Sequence, residues 1–354
     1  MSLAIAMVLI RIVLVGRTSK HSGSEESVFS KTNSKAHRLS FTAVQDKKSV
    51  LLNPLVESWR FPVKKFSMIL AAIAALFLSN PGWAQSTGKG VDKLYVLDCG
   101  QGHAPDESRW TVGVNVGKPI DISDSCFLIL HSGDYFLWDT GISDAVAAMP
   151  DGWLPTNNPA TDIHWSRAKS LESQLAAIGV KPADIKFIGI SHTHPDHIGN
   201  VEMFPTVPIL VQKAEYDNYF APGKEGILKP PSDTRPTFLK DHPVKLVQED
   251  LDVFGDGSVM LVLTAGHTPG HQSCLVHLQK TGWVLLSGDA VHLQSNWDNR
   301  RIPYFATMPA EQKVQTLLSM QRMADLMSFY HAQLWINHEK TQTDKLKHAP
   351  AFYD

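Results

Sequence analysis

The sequence predicts a layered α/β sandwich, in which strands and helices share one core. From about residue 91 onward, short strand-like apolar runs alternate with longer amphipathic stretches. No Gly-x-Gly-x-x-Gly motif marks a dinucleotide-binding fold, and no internal repeat or low-complexity tract follows residue 90. Of the 354 residues, 43% are hydrophobic and 19% are charged, so the chain can bury a large core. One globular domain at residues 85–354 is therefore expected.

Apolar periodicity places the elements along this domain. The run at 185–190 is almost wholly apolar, as expected of a strand that is covered on both faces. Residues 166–178 predict an amphipathic helix, because Leu171, Leu175 and Ile178 fall on one face. A longer helix is predicted at 309–329. The remaining strand-like runs are at 94–97, 126–131, 135–138, 208–211, 244–247, 259–263, 273–278, 283–286 and 334–336.

Residues 63–84 have the three regions of a secretory signal peptide. Two lysines precede an apolar run at 68–78, and a small residue, Ala84, follows a helix-breaking proline. The run is too short for the roughly 20 residues that span a bilayer, so no stable membrane anchor is expected after cleavage. The leader predicts a periplasmic or secreted protein that is cleaved after Ala84. We expect residues 1–62 to be an upstream extension, disordered or not translated, with translation starting at Val63.

Charge and cysteine content exclude other classes of function. Residues 1–84 hold 11 of the 33 basic and 4 of the 35 acidic residues, which leaves 22 basic against 31 acidic residues in the rest. This acidic excess argues against nucleic-acid binding as the main role. The three cysteines, Cys99, Cys126 and Cys274, form no Cys-x-x-Cys pair and allow at most one disulfide.

A His-x-His-x-Asp-His motif directly follows the predicted strand at 185–190. It consists of His192, His194, Asp196 and His197. Alternation at a strand end sends the first two histidines to one side, and the turn begun by the next proline carries the last two residues to a neighbouring point. The segment can therefore supply ligands to two metal ions. Imidazole together with carboxylate suits zinc best, with iron, manganese and cobalt as alternatives.

Four ligands from one loop cannot complete two metal sites, so further ligands are required downstream. His267, Asp289 and His338 each follow a predicted strand and lie beside small or turn-forming residues, as ligands at the rim of a sheet would. Each of these residues is a weak signal alone. Together with the motif they form a strong one.

The order of these residues resembles the metallo-β-lactamase superfamily over nearly all of residues 91–345. Within it, the chain is most similar to the N-acyl-homoserine lactonases, and the short stretches at 125–128, 138–141, 268–273 and 285–289 support this resemblance. The resemblance implies an αββα four-layer sandwich with a dinuclear site in the cleft at the sheet edges.

By this resemblance the site holds two metal ions, expected to be Zn²⁺. His192, His194 and His267 would bind one ion, Asp196, His197 and His338 the other, and Asp289 would bridge them. A bridging aspartate is typical of the lactonases, thioesterases and phosphotriesterases of this fold. True zinc β-lactamases commonly have Cys or Ser near that place.

One position departs from the lactonase pattern. The lactonases usually carry a tyrosine three residues after the bridging aspartate, where this chain has His292. An imidazole there would contact the substrate carbonyl or aid the leaving group, and a histidine that only supports the site is the alternative. Asp196 is the candidate that carries a proton to the leaving oxygen. Asp139 and His271 are expected to fix the imidazole tautomers.

The resemblance implies a dizinc hydrolase that opens the lactone ring of N-acyl-homoserine lactones, which is quorum quenching. Water between two dications loses a proton near neutral pH, so a hydroxide that bridges the metals would attack the lactone carbonyl. An organophosphate triesterase or a zinc β-lactamase of the same fold is the alternative, and a zinc-storage protein without activity is a third. No Gly-x-Ser-x-Gly elbow supports serine catalysis.

A substrate groove beside the metals would be walled by aromatic residues from loop-like stretches. The candidates are Trp110, Trp153, Tyr216, Phe220, Trp297, Tyr304, Phe305 and Met308. Residues 221–236 predict a surface loop, with a lid or a homodimer contact as its possible roles. The expected partners are small-molecule lactones or esters.

Overall fold

The computed structural model describes residues 90–223, 229–302 and 309–354. The predicted leader at 63–84 and the extension at 1–62 lie outside these residues, and both stay predictions. Among the described residues, no helix has the length and apolar character needed to cross a membrane.

Seven strands form the first sheet. They are β1 Lys93–Ala104, β2 Ile120–His131, β3 Asp134–Trp138, β4 His164–Ser166, β5 Ile185–Gly189, β6 Ile209–Gln212 and β7 Val244–Val247. Their order across the sheet is β4-β1-β2-β3-β5-β6-β7. The strands from β4 to β3 pair antiparallel, and those from β3 to β7 pair parallel. The crossovers between the parallel strands contain the helices α1 Leu171–Ala177, α2 Pro195–Ile198 and α3 Lys213–Tyr219.

Five strands form the second sheet. They are β8 Leu251–Asp252, β9 Val259–Leu263, β10 Gln272–Leu278, β11 Gly282–Leu286 and β12 Gln333–Trp335, in the order β12-β11-β10-β9-β8. Only the pair β11 and β12 is parallel. The connection between these two strands contains α4 Gln294–Asn299 and the long helix α5 Ala310–Tyr330. The short helix α6 Lys340–Thr343 follows β12.

The two sheets pack face to face, and helices cover their outer faces. Alternate residues of β2 divide between two cores: Phe127 belongs to the core between the sheets, whereas Leu128 belongs to the core that includes Leu171 of α1. In the second sheet, Leu275 of β10 packs in a third core with Met323 of α5. The layers are helix, sheet, sheet and helix, which confirms the predicted αββα sandwich.

The largest difference from the predicted elements concerns residues 166–178. The helix there begins only at Leu171, because the Ser170 side chain caps it by accepting the backbone N–H of Ser173 at 3.1 Å. The residues just before it form β4, which pairs with β1. The long helix was predicted at 309–329 and occupies Ala310–Tyr330.

One disulfide joins Cys99 of β1 to Cys126 of β2. The two strands are antiparallel neighbours, and Cys126 pairs with Leu97 in the ladder. Cys274 is a buried free thiol on β10. The single bridge agrees with the limit set by three cysteines.

Candidate metal centre

The structure brings together all seven predicted ligands, although they are widely separated in the sequence. His192 and His194 follow β5, Asp196 and His197 lie on α2, His267 lies in the turn between β9 and β10, Asp289 follows β11, and His338 follows β12. Their ligand atoms fall into two groups, and within each group all atoms lie within 4.8 Å of one another. The groups meet where strands of both sheets end.

The first group is a cluster of three imidazoles. His194 Nδ1 lies 2.9 Å from His192 Nε2 and 2.9 Å from His267 Nε2, and the last two nitrogens are 3.2 Å apart. Burial lowers the pKa of His192 and of His267 well below the ordinary value, so both rings are neutral. Three ring nitrogens that face one point cannot all be paired as donor and acceptor. A cation at that point would accept all three lone pairs.

Asp289 faces both groups with different oxygens. Its Oδ2 lies 3.4 Å from His267 Nε2 in the first group. Its Oδ1 lies 3.2 Å from His197 Nε2 and 3.0 Å from His338 Nε2 in the second group. Asp196 completes the second group, with Oδ2 3.6 Å from His338 Nε2. This is the arrangement expected of a carboxylate that bridges two ions.

The buried atoms of the site fit two divalent ions. His197 Nε2 and Asp289 Oδ1 are both buried, and the geometry of their 3.2 Å contact and of their other contacts among the described residues is not that of a hydrogen bond. Such atoms are costly unless something satisfies them. The donor set of five imidazoles and two carboxylates matches the preference of zinc.

Hydrogen bonds at the far side of two ligand rings, His197 and His338, fix the tautomers of these rings. His197 Nδ1–H donates to Asp139 Oδ2 at 3.0 Å, as predicted for Asp139, and this carboxylate also accepts the backbone N–H of Ser191 at 2.6 Å. His338 Nδ1–H donates to the carbonyl of Ser123 at 2.7 Å. In both histidines the Nε2 lone pair is therefore left for the metal centre.

His271 holds the backbone of Asp289, and among the described residues no hydrogen bond joins it to another imidazole. Burial lowers the pKa of His271 to about 3, so the ring is neutral. Its Nε2 accepts the backbone N–H of Asp289 at 2.8 Å, and Nδ1–H therefore donates to Thr264 Oγ1 at 2.9 Å. Gly288 has a φ of +52° and a Cβ there would lie 2.7 Å from His271 Nε2, so only glycine fits beside this bond.

The carboxylates of the site favour the protonated form of two histidines. Burial alone would lower the pKa of His338, but Asp289 and Asp196 raise it to about 9. Burial would also lower the pKa of His197, but the same carboxylates, together with Asp139, raise it well above its ordinary value. Protons therefore occupy these rings in the metal-free protein, and metal binding must displace them.

Glu215 is a supporting residue that sequence reasoning missed. It lies on α3 and is fully buried. One oxygen accepts the N–H of Thr193 at 2.9 Å and its hydroxyl at 2.6 Å, and the other accepts the N–H of Gly270 at 3.0 Å. Thr193 lies between two ligands of the first group, and Gly270 lies in the turn that carries His267. Glu215 thus connects two ligand loops, and only its position after β6 hinted at this role.

His292 contacts the bridging aspartate. Its Nε2 lies 3.1 Å from Asp289 Oδ2, and burial lowers the pKa of the ring, so a neutral His292 donates Nε2–H to Asp289. Its Nδ1 is buried and has no hydrogen-bond partner among the described residues. This geometry favours the supporting role over direct contact with a substrate carbonyl.

A cavity of about 200 Å³ opens onto both ligand groups. Trp110 and Trp153 line it as predicted, and Trp165, Ile122 and Ile163 add further apolar walls. Arg109 lies at the same cavity. Sequence reasoning missed these last four residues, because their place at the cavity depends on contacts between segments that are distant in sequence.

Three other predicted wall residues lie elsewhere. Tyr216 and Phe220 pack against Phe238 beneath α3, and Trp297 packs against the core under α5. Tyr304, Phe305 and Met308 lie outside the described residues. Within the described part of the predicted surface loop at 221–236, Asp233 is buried and accepts the Ser143 hydroxyl at 2.5 Å.

Clustered histidines and aspartates at the strand ends of an αββα sandwich are typical of the metal-dependent hydrolases built on this fold. The sequence pattern of the metallo-beta-lactamase superfamily matches residues 121–326. The chain belongs to this superfamily and is a hydrolase. The resemblance predicted from the motif is thereby confirmed.

Relatives and solved structures agree with this assignment. The N-acyl homoserine lactonase AttM of Azorhizobium caulinodans is 32% identical over 245 residues, which cover 67% of this chain and 90% of the relative. An N-acyl homoserine lactonase of a Bacillus species is 29% identical over 264 residues, or 74% of this chain and 99% of the relative. The crystal structure of a quorum-quenching N-acyl homoserine lactone hydrolase superposes with a TM-score of 0.59 at 24% identity, over 74% of this chain and 98% of the other.

Proposed function

We propose that this protein hydrolyses the lactone ring of N-acyl homoserine lactones with two zinc ions bound. The observation that carries the proposal is Asp289, whose two oxygens face separate ligand groups at the base of an apolar cavity. Apolar walls suit an acyl chain. The relatives named N-acyl homoserine lactonases support the same substrate class.

The protein's own residues position the substrate and move one proton. Bound zinc would supply Lewis acidity and lower the pKa of a water molecule at the site. The tryptophan walls hold the acyl chain and exclude water from it, so that the lactone carbonyl lies beside the ligand groups. Asp196 has a side chain that is 15% exposed and lines this cavity. Its carboxylate takes the proton of the attacking water and delivers it to the ring oxygen as the C–O bond breaks.

A panel of substrates tests the proposal on residues 85–354 loaded with zinc. We expect hydrolysis of a long-chain homoserine lactone, and loss of that hydrolysis when a chelator removes the metal. Turnover of paraoxon or a carbapenem without lactone hydrolysis would instead assign a triesterase or a β-lactamase. Bound metal without turnover of any of them would indicate zinc storage.

We also propose that the mature protein works outside the cytoplasm, where it removes signalling lactones. The disulfide between Cys99 and Cys126 supports this, because such bonds persist in oxidising compartments. The predicted leader at 63–84 is the second support. Fractionation followed by N-terminal sequencing should find an exported protein that begins at Gln85. Retention of the leader in a cytoplasmic protein would contradict the proposal.

A further inference from the structure

We propose that Arg109 selects lactones whose acyl chain carries an oxygen substituent, an inference that rests on the proposed lactonase function. Arg109 lines the cavity that also contains Asp196, Asp289 and His292. Apart from the imidazoles, it is the only basic side chain among the described residues that line this cavity. The nearby walls are tryptophan, isoleucine and proline.

The Arg109 guanidinium is held in place on two sides. One terminal nitrogen donates to the carbonyl of Thr161 at 2.6 Å. The guanidinium carbon lies 5.5 Å from the centre of the Trp110 ring. Asp162 and Asp106 are close enough to stabilise its charge. A guanidinium fixed in this way loses little freedom when it donates a further hydrogen bond.

Ring contacts connect Arg109 to the metal centre through one indole. The Trp110 ring centre lies 6.3 Å from the ring centre of His292, and His292 contacts Asp289. A lactone whose ring is at the ligand groups would extend its acyl chain along Trp110. The first carbons of that chain would then approach Arg109.

The chemistry of these walls makes Arg109 discriminate between acyl chains. An oxygen substituent that is buried against apolar residues without a donor loses its hydrogen bonds to water, which costs free energy. Arg109 supplies a charged donor, and a hydrogen bond to a charged group contributes more than one between neutral groups. A plain alkyl chain gains nothing from this guanidinium. The cavity should therefore prefer the oxygen-substituted chain.

Arg301 provides a matched control. Arg109 also connects two loop segments through Thr161, and loss of that connection would slow all lactones alike. Arg301 makes a similar connection, because its guanidinium donates to the carbonyl of Val112, two residues after Trp110. Arg301 does not line the cavity. Its removal should disturb the same segment without changing the preference between substrates.

The experiment compares kcat/KM for N-(3-oxohexanoyl) and N-hexanoyl homoserine lactone. The wild type should prefer the 3-oxo substrate by about tenfold, the effect of roughly one charged hydrogen bond. In Arg109→Met this ratio should fall to about one, whereas Arg301→Met should keep the wild-type ratio. If Arg109→Met does not fold, Arg109→Leu, which also removes the donor, provides the same comparison.

Three results would overturn the inference. An unchanged ratio in the Arg109 variant would show that the residue is only a connection between loops. A wild type that hydrolyses neither lactone would contradict the proposed function and this inference together. A wild type that hydrolyses both equally would contradict the inference alone.

Discussion

Asp289 and the residues around it show how single side chains determine the chemistry of the centre. Its backbone N–H is held by His271, and its Oδ2 is contacted by His292. The sequence predicted the seven side chains that the structure brings together, because their residue types and their places after strands are both visible in it. The sequence did not show whether His292 contacts the substrate or supports Asp289, because a hydrogen bond across a turn leaves no pattern in sequence.

Replacement of His292 distinguishes a supporting residue from one that contacts the substrate. His292→Phe keeps the ring and removes the hydrogen bond to Asp289, so we expect kcat/KM to fall about tenfold, the value of one hydrogen bond. Zinc content should stay at the wild-type level, since His292 is outside both ligand groups. Steady-state kinetics and elemental analysis measure both quantities. A loss of more than a hundredfold at unchanged zinc content would instead indicate direct contact with the reacting carbonyl.

Asp124 predicts a pH dependence of stability in the metal-free protein. This carboxyl is buried, and its Oδ2 accepts the N–H of Ile142 at 2.9 Å. Burial raises its pKa from 3.8 to about 7, although His197 opposes the shift. Between about pH 4 and about pH 7, Asp124 keeps a proton in the folded protein that the unfolded chain has released, so the stability of the fold falls as pH rises.

The test compares denaturant unfolding of the wild type and Asp124→Asn in the presence of a chelator. From about pH 4 to about pH 7 the wild type should lose stability relative to the variant, by at most about 1.4 kcal/mol per pH unit. The asparagine oxygen can still accept the N–H of Ile142, and it has no proton to release. Parallel pH profiles would show that Asp124 does not titrate in this range.

At the scale of elements, the site depends on how loops at strand ends are connected. Hydrophobic runs predicted most strands and the long helix, because periodicity reports burial. The short β4 and the late start of α1 were missed, since capping by Ser170 and pairing with β1 override a continuous helical pattern. The role of α3 was also missed, because the contacts of Glu215 join segments that are distant in sequence.

Replacement of Glu215 tests whether α3 holds the two ligand loops together. In Glu215→Gln the side-chain amide must place an NH₂ group against either Thr193 or Gly270, so at least one backbone donor loses its acceptor. We expect zinc affinity, measured by chelator competition, to fall about tenfold or more. Glu202→Gln is the control, because Glu202 is a similarly buried carboxylate that bonds Leu239 and His242 instead. Equal zinc affinity in the two variants would argue against the connection.

At the scale of the whole molecule, the cleft is supported by the two sheets and by the disulfide in the first. The layered fold could be predicted from the alternation of strands and helices, and its αββα form from the resemblance carried by the ligands. The disulfide pairing could not, since three cysteines allow several pairings. Cys99 also packs against Gly141, where a Cβ would lie 2.3 Å from the Cys99 Cβ, in the turn that follows Asp139.

Loss of the disulfide should destabilise the whole domain. The bond joins residues 27 apart, and closing a loop of this length stabilises a protein by about 3.5 kcal/mol in the chain-entropy model. We expect Cys99→Ser combined with Cys126→Ser to lose stability of about this size in urea unfolding. Reductant should destabilise the wild type and leave the double variant unchanged. A wild type that is insensitive to reductant would contradict the prediction.

Anomalous X-ray scattering at the zinc edge, from crystals of the zinc-loaded protein, tests most directly whether two zinc ions bind at these residues. The proposed dizinc centre predicts two peaks, one among His192, His194 and His267 and the other among Asp196, His197 and His338, with Asp289 between them. A single peak, or peaks away from these residues, would contradict it.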